Sequence, residues 1–312
     1  MAKLKLSQAV IVFLVGILWF GCQEKVPLEG KLTGNMDHYH KIISKFVGPR
    51  NVDVWLPADY YDNPQKKYPV IYMHDGQNLF DPATSFIGVD WGVDEALSEL
   101  EKENPNLAAI VVGIWNTDLR TREYMPQKAF EMITDEREIE EFIKQFGGPP
   151  LSDNYLKFIT RELKPFIDAT YRTLPDRDNT IIMGSSMGGL ISWYAVCEYP
   201  EVFSAAGCIS THWPILNKAA ILYMEERLPD PKTHRFYFDY GTRTLDAQYE
   251  PYQNEVDRVM RRKGYVEGVN WITRKFSGHE HSEKAWRQRI HIPLQFLLNP
   301  LADDQNENGT DS

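Results

Sequence analysis

The chain has 312 residues, a formal net charge of −10, 43% apolar residues and 25% charged residues. These are globular proportions, and the negative balance excludes the basic face that a nucleic-acid binder needs. No 20- to 50-residue period repeats, which excludes a solenoid. Residues 1–22 stand apart from the rest. Lys3 and Lys5 precede the apolar run AVIVFLVGILWF at 9–20, which ends in Gly21-Cys22. A run that short reads as the hydrophobic region of a signal peptide, not as a membrane span. Its ending resembles a bacterial lipoprotein signal with Cys22 as the lipidated residue; a secretory signal cut nearby, or an uncleaved anchor, is the alternative. The expectation is an exported bacterial protein, periplasmic or anchored to the outer membrane, touching membrane only through Cys22. Residues 23–36 read as a linker and 37–299 as one domain.

Within that domain, strand-like and helix-like segments alternate. VDVWLPADY (52–60) alternates apolar and polar residues like a half-exposed strand. The apolar run in YPVIYMHDGQ reads as a strand covered on both faces, followed by the helical WGVDEALSELEKE. LAAIVVGIW (107–115) is a second buried strand. Residues 116–150 show no clear period and read as an excursion from the scaffold. Leu156, Ile159, Leu163, Phe166 and Ile167 then share a helix face, with Pro165 expected to kink or restart the helix. TIIMG, FSAAGCIS, RFYFDYG and NWITRKFSG are the later strands. SMGGLISWYAVCEYP, DAQYEPYQNEVDRVMRRKGY and EKAWRQRIHIPLQFLLN are the later helices. This alternation predicts an α/β fold with a mostly parallel sheet, helices on both faces, and a ligand site at the carboxyl ends of the strands. Cys197 and Cys208 read as buried free thiols. The tail 300–312 is polar and acidic and reads as disordered.

TIIMGSSMGG places Ser186 in a G-x-S-x-G turn between a strand and a helix, the arrangement of a nucleophile elbow. A serine needs a base, and on this scaffold the chain order is Ser, acid, His. The loop SGHEHSEKAW after the last strand offers His279 and His281, and both stay open on spacing alone. Asp246, just past RFYFDYG, is the candidate acid; Asp239 inside that strand reads as structural. The second oxyanion donor is expected after an early strand, at Gln77, to pair with the N–H of Met187; Gly76 would let the backbone approach the substrate. His74, Asp75, His38 and His40 have no zinc-type spacing, so no metal is expected.

KYPVIYMHDGQNLFD, LKPFIDATYRT, IIMGSSMGGL, DYGTRTLDAQYEPYQ and HSEKAW together resemble the Putative esterase family of α/β-hydrolases, which includes esterase D, feruloyl esterases and enterochelin esterases. The likeness runs from about residue 40 to 297. It implies an α/β-hydrolase fold and a cofactor-free serine esterase with Ser186 as nucleophile, Asp246 as acid and backbone N–H groups of Gln77 and Met187 for the oxyanion. In one branch the base precedes Ser or Asn, Glu, two residues and Trp. That pattern fits His281, Ser282, Glu283 and Trp286, and favours His281 over His279. The implied substrates are small-molecule or carbohydrate esters. Trp91, Trp115, Tyr124, Trp213 and Trp286 lie in or beside predicted loops and are expected to stack a sugar or aryl acyl group, or else to be core. The rivals are a peptidase on the same scaffold and a non-catalytic protein that keeps the fold.

Overall fold

The computed structural model describes residues 32–299. The leader, Cys22, most of the linker and the tail lie outside the described residues. Eight strands form one sheet: β1 (Asn35–Ile42), β2 (Arg50–Leu56), β3 (Val70–His74), β4 (Ile110–Ile114), β5 (Thr180–Ser185), β6 (Ala205–Ile209), β7 (Arg235–Gly241) and β8 (Trp271–Phe276). Their order is β1-β2-β4-β3-β5-β6-β7-β8. β2 is antiparallel to both β1 and β4, and every later neighbour pair is parallel.

The continuous apolar runs are explained by a core on each face. Val70 and Tyr72 of β3, Ile110 and Val112 of β4, Ile182 of β5, and Phe236 and Phe238 of β7 point into one core. The alternate residues Ile71, Met73, Val111, Ile181, Met183 and Tyr237 point into the other. Successive side chains of a strand face opposite sides, so a strand in this position can have no polar face. The first core is roofed by the helices Met187–Glu198 and Glu250–Arg262, the second by Val93–Glu103 and His291–Leu298.

Three local features depart from the sequence expectations, while Pro165 restarts its helix as expected. The chain is already ordered before residue 37: β1 begins at Asn35, and the Thr33 N–H and hydroxyl both donate to Asp94. The helix around Pro165 runs as Ser152–Phe158, a wider π-type turn over Ile159–Leu163, then Lys164–Thr170. That turn absorbs the amide proline lacks. The excursion 116–150 holds three helices, the longest Glu136–Phe146. Asp135 caps its start and Gly147 its end in the left-handed region, and its apolar stripe of Ile139, Phe142 and Phe146 packs against the first core. A further helix, Lys218–Arg227, follows β6.

The strand order reverses direction at β3, whose neighbours are β4 and β5. Such a switch point opens a crevice beyond the carboxyl ends of the strands. The loops carrying Gln77 and Ser186 leave from β3 and β5, on either side of that crevice.

Candidate active site

Ser186 follows β5 with φ 57° and ψ −118°, a region that L-residues rarely occupy. The turn is fixed from its surroundings. The Ser186 N–H donates to Ile209 O (2.9 Å), and Ser186 O accepts from the His212 N–H (3.2 Å). Gly184 and Gly188 let strand and helix close on each other: a Cβ on Gly184 would lie 3.0 Å from the Gly188 backbone. Ser186 is 9% exposed, and its hydroxyl has no hydrogen-bond partner among the described residues. Met187 opens the helix Met187–Glu198, so its N–H has no intrahelical acceptor.

The loop after β3 packs beside that helix start. Asp75 is left-handed (φ 59°) and precedes a short turn, Gly76–Asn78, that carries Gln77. Gly76 packs tightly on the neighbouring strand. A Cβ there would overlap the Gly113 carbonyl of β4, so the glycine admits the neighbouring strand. Asp75 is buried and held bidentately by Arg120 (2.7 Å to each oxygen) and by the Asn116 amide (2.6 Å). Burial pushes the Asp75 carboxyl up, but Arg120 and Asn116 outweigh it and hold it below the usual range.

On the opposite side, His281 Nδ1 lies 2.6 Å from Asp246 Oδ1. Asp246 Oδ2 accepts from the Gly241 N–H and the Ser210 hydroxyl, both at 2.6 Å. Burial raises this carboxyl, and the bonds from His281, Ser210 and Gly241 more than reverse the effect. Ser210 Oγ in turn accepts from Arg289 Nη2 (2.8 Å) and Trp286 Nε1 (3.1 Å), while Arg289 pairs with Asp239 (3.0 Å). Asp239 is structural, as expected. The rings of Trp286 and Tyr249 stand edge-on to His281, with centroids 5.0 and 5.7 Å away. His279 does not reach Asp246. Its Nδ1 meets Arg289 (3.4 Å) and its carbonyl accepts from Thr242 and Arg243.

The aromatic platform is corrected by burial. Trp91, Tyr124 and Trp213 are fully buried and pack in the two cores, so none has a free face for a sugar or aryl group. Trp286 is buried too, between Trp91 and His281. Trp115 is half-buried but donates to Asp53 (2.6 Å) beside His38. Sequence reasoning missed Ser210, Arg120, Arg289 and Tyr249, because nothing in their spacing marks them; only the fold gathers them. Cys197 and Cys208 are buried free thiols, raised far above the usual range by burial.

Among the described residues, Asp90, Asp94 and Glu95 form the one carboxylate trio close enough to share an ion. Arg287 already bridges Asp90 and Glu95 at 2.6 and 2.7 Å, and burial pushes the Asp94 carboxyl up against Glu95. No described helix is long and apolar enough to cross a membrane.

Residues 44–295 match the family model described as "Putative esterase". The chain is 24% identical over 257 residues to protein YbbA of Bacillus subtilis (strain 168), covering 80% of this chain and 93% of that one. It is 24% identical over 194 residues to the endo-1,4-beta-xylanase/feruloyl esterase of Xylanibacter ruminicola, covering 61% of this chain and 22% of that one. A solved ferulic acid esterase superposes with a TM-score of 0.61 at 19% identity, over 86% of this chain and 98% of that one. With this sheet order, this elbow and a match across most of its length, the chain belongs to the Putative esterase family, carboxylic ester hydrolases on the α/β-hydrolase fold.

Proposed function

We propose that the chain hydrolyses carboxylic esters through a Ser186–His281–Asp246 triad and an acyl-enzyme. The observation that carries this reading is the 2.6 Å contact between His281 and an ionised, buried Asp246, on the same sheet edge as the left-handed Ser186. Asp246 accepts the Nδ1 proton of His281, which leaves Nε2 free to take the proton from Ser186 Oγ. The hydroxyl oxygen then adds to the ester carbonyl. The N–H groups of Gln77 and Met187 receive the negative charge that develops on the carbonyl oxygen. His281 Nε2 returns the proton to the departing alcohol. Water, deprotonated by the same nitrogen, adds to the acyl-serine and releases the acid and Ser186. No step requires a cofactor.

Small-molecule and carbohydrate esters are the proposed substrates, feruloyl esters among them because a feruloyl esterase is among the relatives. We also infer export and anchoring through Cys22 from the basic start and the apolar run of the leader. Cys22→Ala should abolish incorporation of labelled fatty acid. The catalytic reading is tested with p-nitrophenyl acetate and methyl ferulate, comparing native protein with Ser186→Ala. Turnover should fall by at least about 10³-fold, and activity left at the native level sinks the reading.

A further inference from the structure

Beside the nucleophile stands a histidine that the triad does not use. His212 follows the end of β6, and its main-chain N–H is 3.2 Å from Ser186 O. Its half-buried ring places Nδ1 2.6 Å from the Tyr249 hydroxyl. Tyr249 is buried, and its ring packs edge-on against His281. The two imidazoles thus flank one tyrosine.

That tyrosine fixes the tautomer. Its hydroxyl carries one proton, and His212 Nδ1 is its hydrogen-bond partner among the described residues. A buried hydroxyl proton left unpaired is costly, so Tyr249 donates and Nδ1 accepts. Burial, His281 and Arg120 push the ring down to about 4, so at neutral pH it is uncharged. A neutral ring that accepts at Nδ1 carries its proton on Nε2. That N–H finds no protein acceptor, yet it is not sealed from solvent. It is a fixed, neutral donor on a residue whose main chain touches that of Ser186.

The part of the substrate that it meets follows from the direction of proton transfer. His281 gives its proton to the leaving alcohol, so the alcohol half lies on the His281 side, away from the N–H groups of Gln77 and Met187. Tyr249 joins His212 to that same side. We propose that the His212 Nε2–H binds an oxygen of the alcohol half, and so selects esters whose alcohol carries an oxygen near the ester bond, as polyol and sugar esters do. This rests on the serine esterase reading above.

The test compares kcat/KM for 2-methoxyethyl acetate and n-butyl acetate, which match in length and differ by one acceptor oxygen. Native enzyme should prefer the methoxyethyl ester. His212→Phe keeps a ring but removes the donor, and should lower the preference ratio about tenfold, the scale of one neutral hydrogen bond. Tyr249→Phe frees the tautomer and should lower it about threefold. Each variant is first titrated with a fluorophosphonate, so that only molecules with a reactive Ser186 are counted. If His212→Phe gives no titratable enzyme, Tyr249→Phe decides. A ratio that stays at the native value overturns the proposal, whether both rates drop together or neither does. So does a ratio that shifts only for methyl methoxyacetate against methyl butyrate, which would put the contact on the acyl half. Failure of the esterase reading looks different: native protein turns over neither ester, or Ser186→Ala loses nothing.

Discussion

The two sides of the catalytic edge are built in different ways. On the β3 side, the groups proposed to act are main-chain N–H donors, and side chains such as Asp75 and Arg120 only hold the loop that carries them. On the β7 side, the groups proposed to act are side chains, and a second tier of side chains, Ser210, Trp286 and Arg289, holds those. The supporting ion pairs differ as well. Arg289 and Asp239 are almost wholly buried, whereas Arg120 comes from the excursion and is 30% exposed. Short of proline, a substitution displaces a backbone donor and does not delete it. A side-chain acid can be removed outright. The β7 side should therefore fail in steps, and the β3 side by degrees.

Asp246→Asn is the sharpest probe of the β7 side. It keeps the shape but turns an acceptor towards a donor, and kcat for p-nitrophenyl acetate should drop about 10³- to 10⁴-fold with little change in melting temperature. Arg289→Met comes next, and acts on stability. It leaves Asp239 buried without its cation, and should cost about 3–5 kcal/mol by urea denaturation. On the β3 side, Gly76→Ala should lower kcat by about 10²-fold with KM nearly unchanged, because a Cβ against Gly113 moves the Gln77 donor without removing it. Arg120→Met should cost about tenfold in kcat, since Asn116 still holds Asp75 and solvent screens part of the lost charge. If Arg120→Met proved as damaging as Asp246→Asn, the contrast between the two sides would break.

A separate effect is expected on the pH dependence of stability. Burial pushes His74 down to about 3 and His212 down to about 4, both below the unfolded value of about 6.5. Between those values the unfolded chain binds protons that the folded chain does not. Stability is therefore fully present above pH 6.5 and falls as the pH drops towards 4. Buried His74 alone should contribute a slope of up to about 1.4 kcal/mol per pH unit. His74→Gln, which can still hydrogen-bond to Tyr155, should flatten the melting-temperature profile over that range.

Much of the scaffold was legible because it is written in runs. β3 to β7 stand out as apolar segments, since a strand covered on both faces has no freedom to be polar, while β2 shows by its alternation and β8 by a half-covered start. β1 was missed because NMDHYHKI, an edge strand, mixes histidine, aspartate and lysine. Chain order and glycine spacing located Ser186, Asp246 and the late loop. They could not choose between His279 and His281 on spacing, because the choice depends on which ring a folded loop turns towards Asp246. The aromatic platform failed for a related reason. A tryptophan in a loop looks available in sequence, but Trp91 and Trp213 are drawn inward by ring contacts with Trp286 and Trp193. Ser210 carried no signal at all.

That serine has a consequence for how charge sits at the site. Arg289 and Trp286 can only give protons to its oxygen, so its own proton has one direction left, towards Asp246. With Oδ2 saturated by Ser210 and Gly241, the carboxylate turns a single lone-pair face to the imidazole. The polarity of the whole chain is thus set at its buried guanidinium end, some residues away from any substrate. It makes the carboxylate an anchor for positive charge on the ring, and a poor destination for the ring's proton.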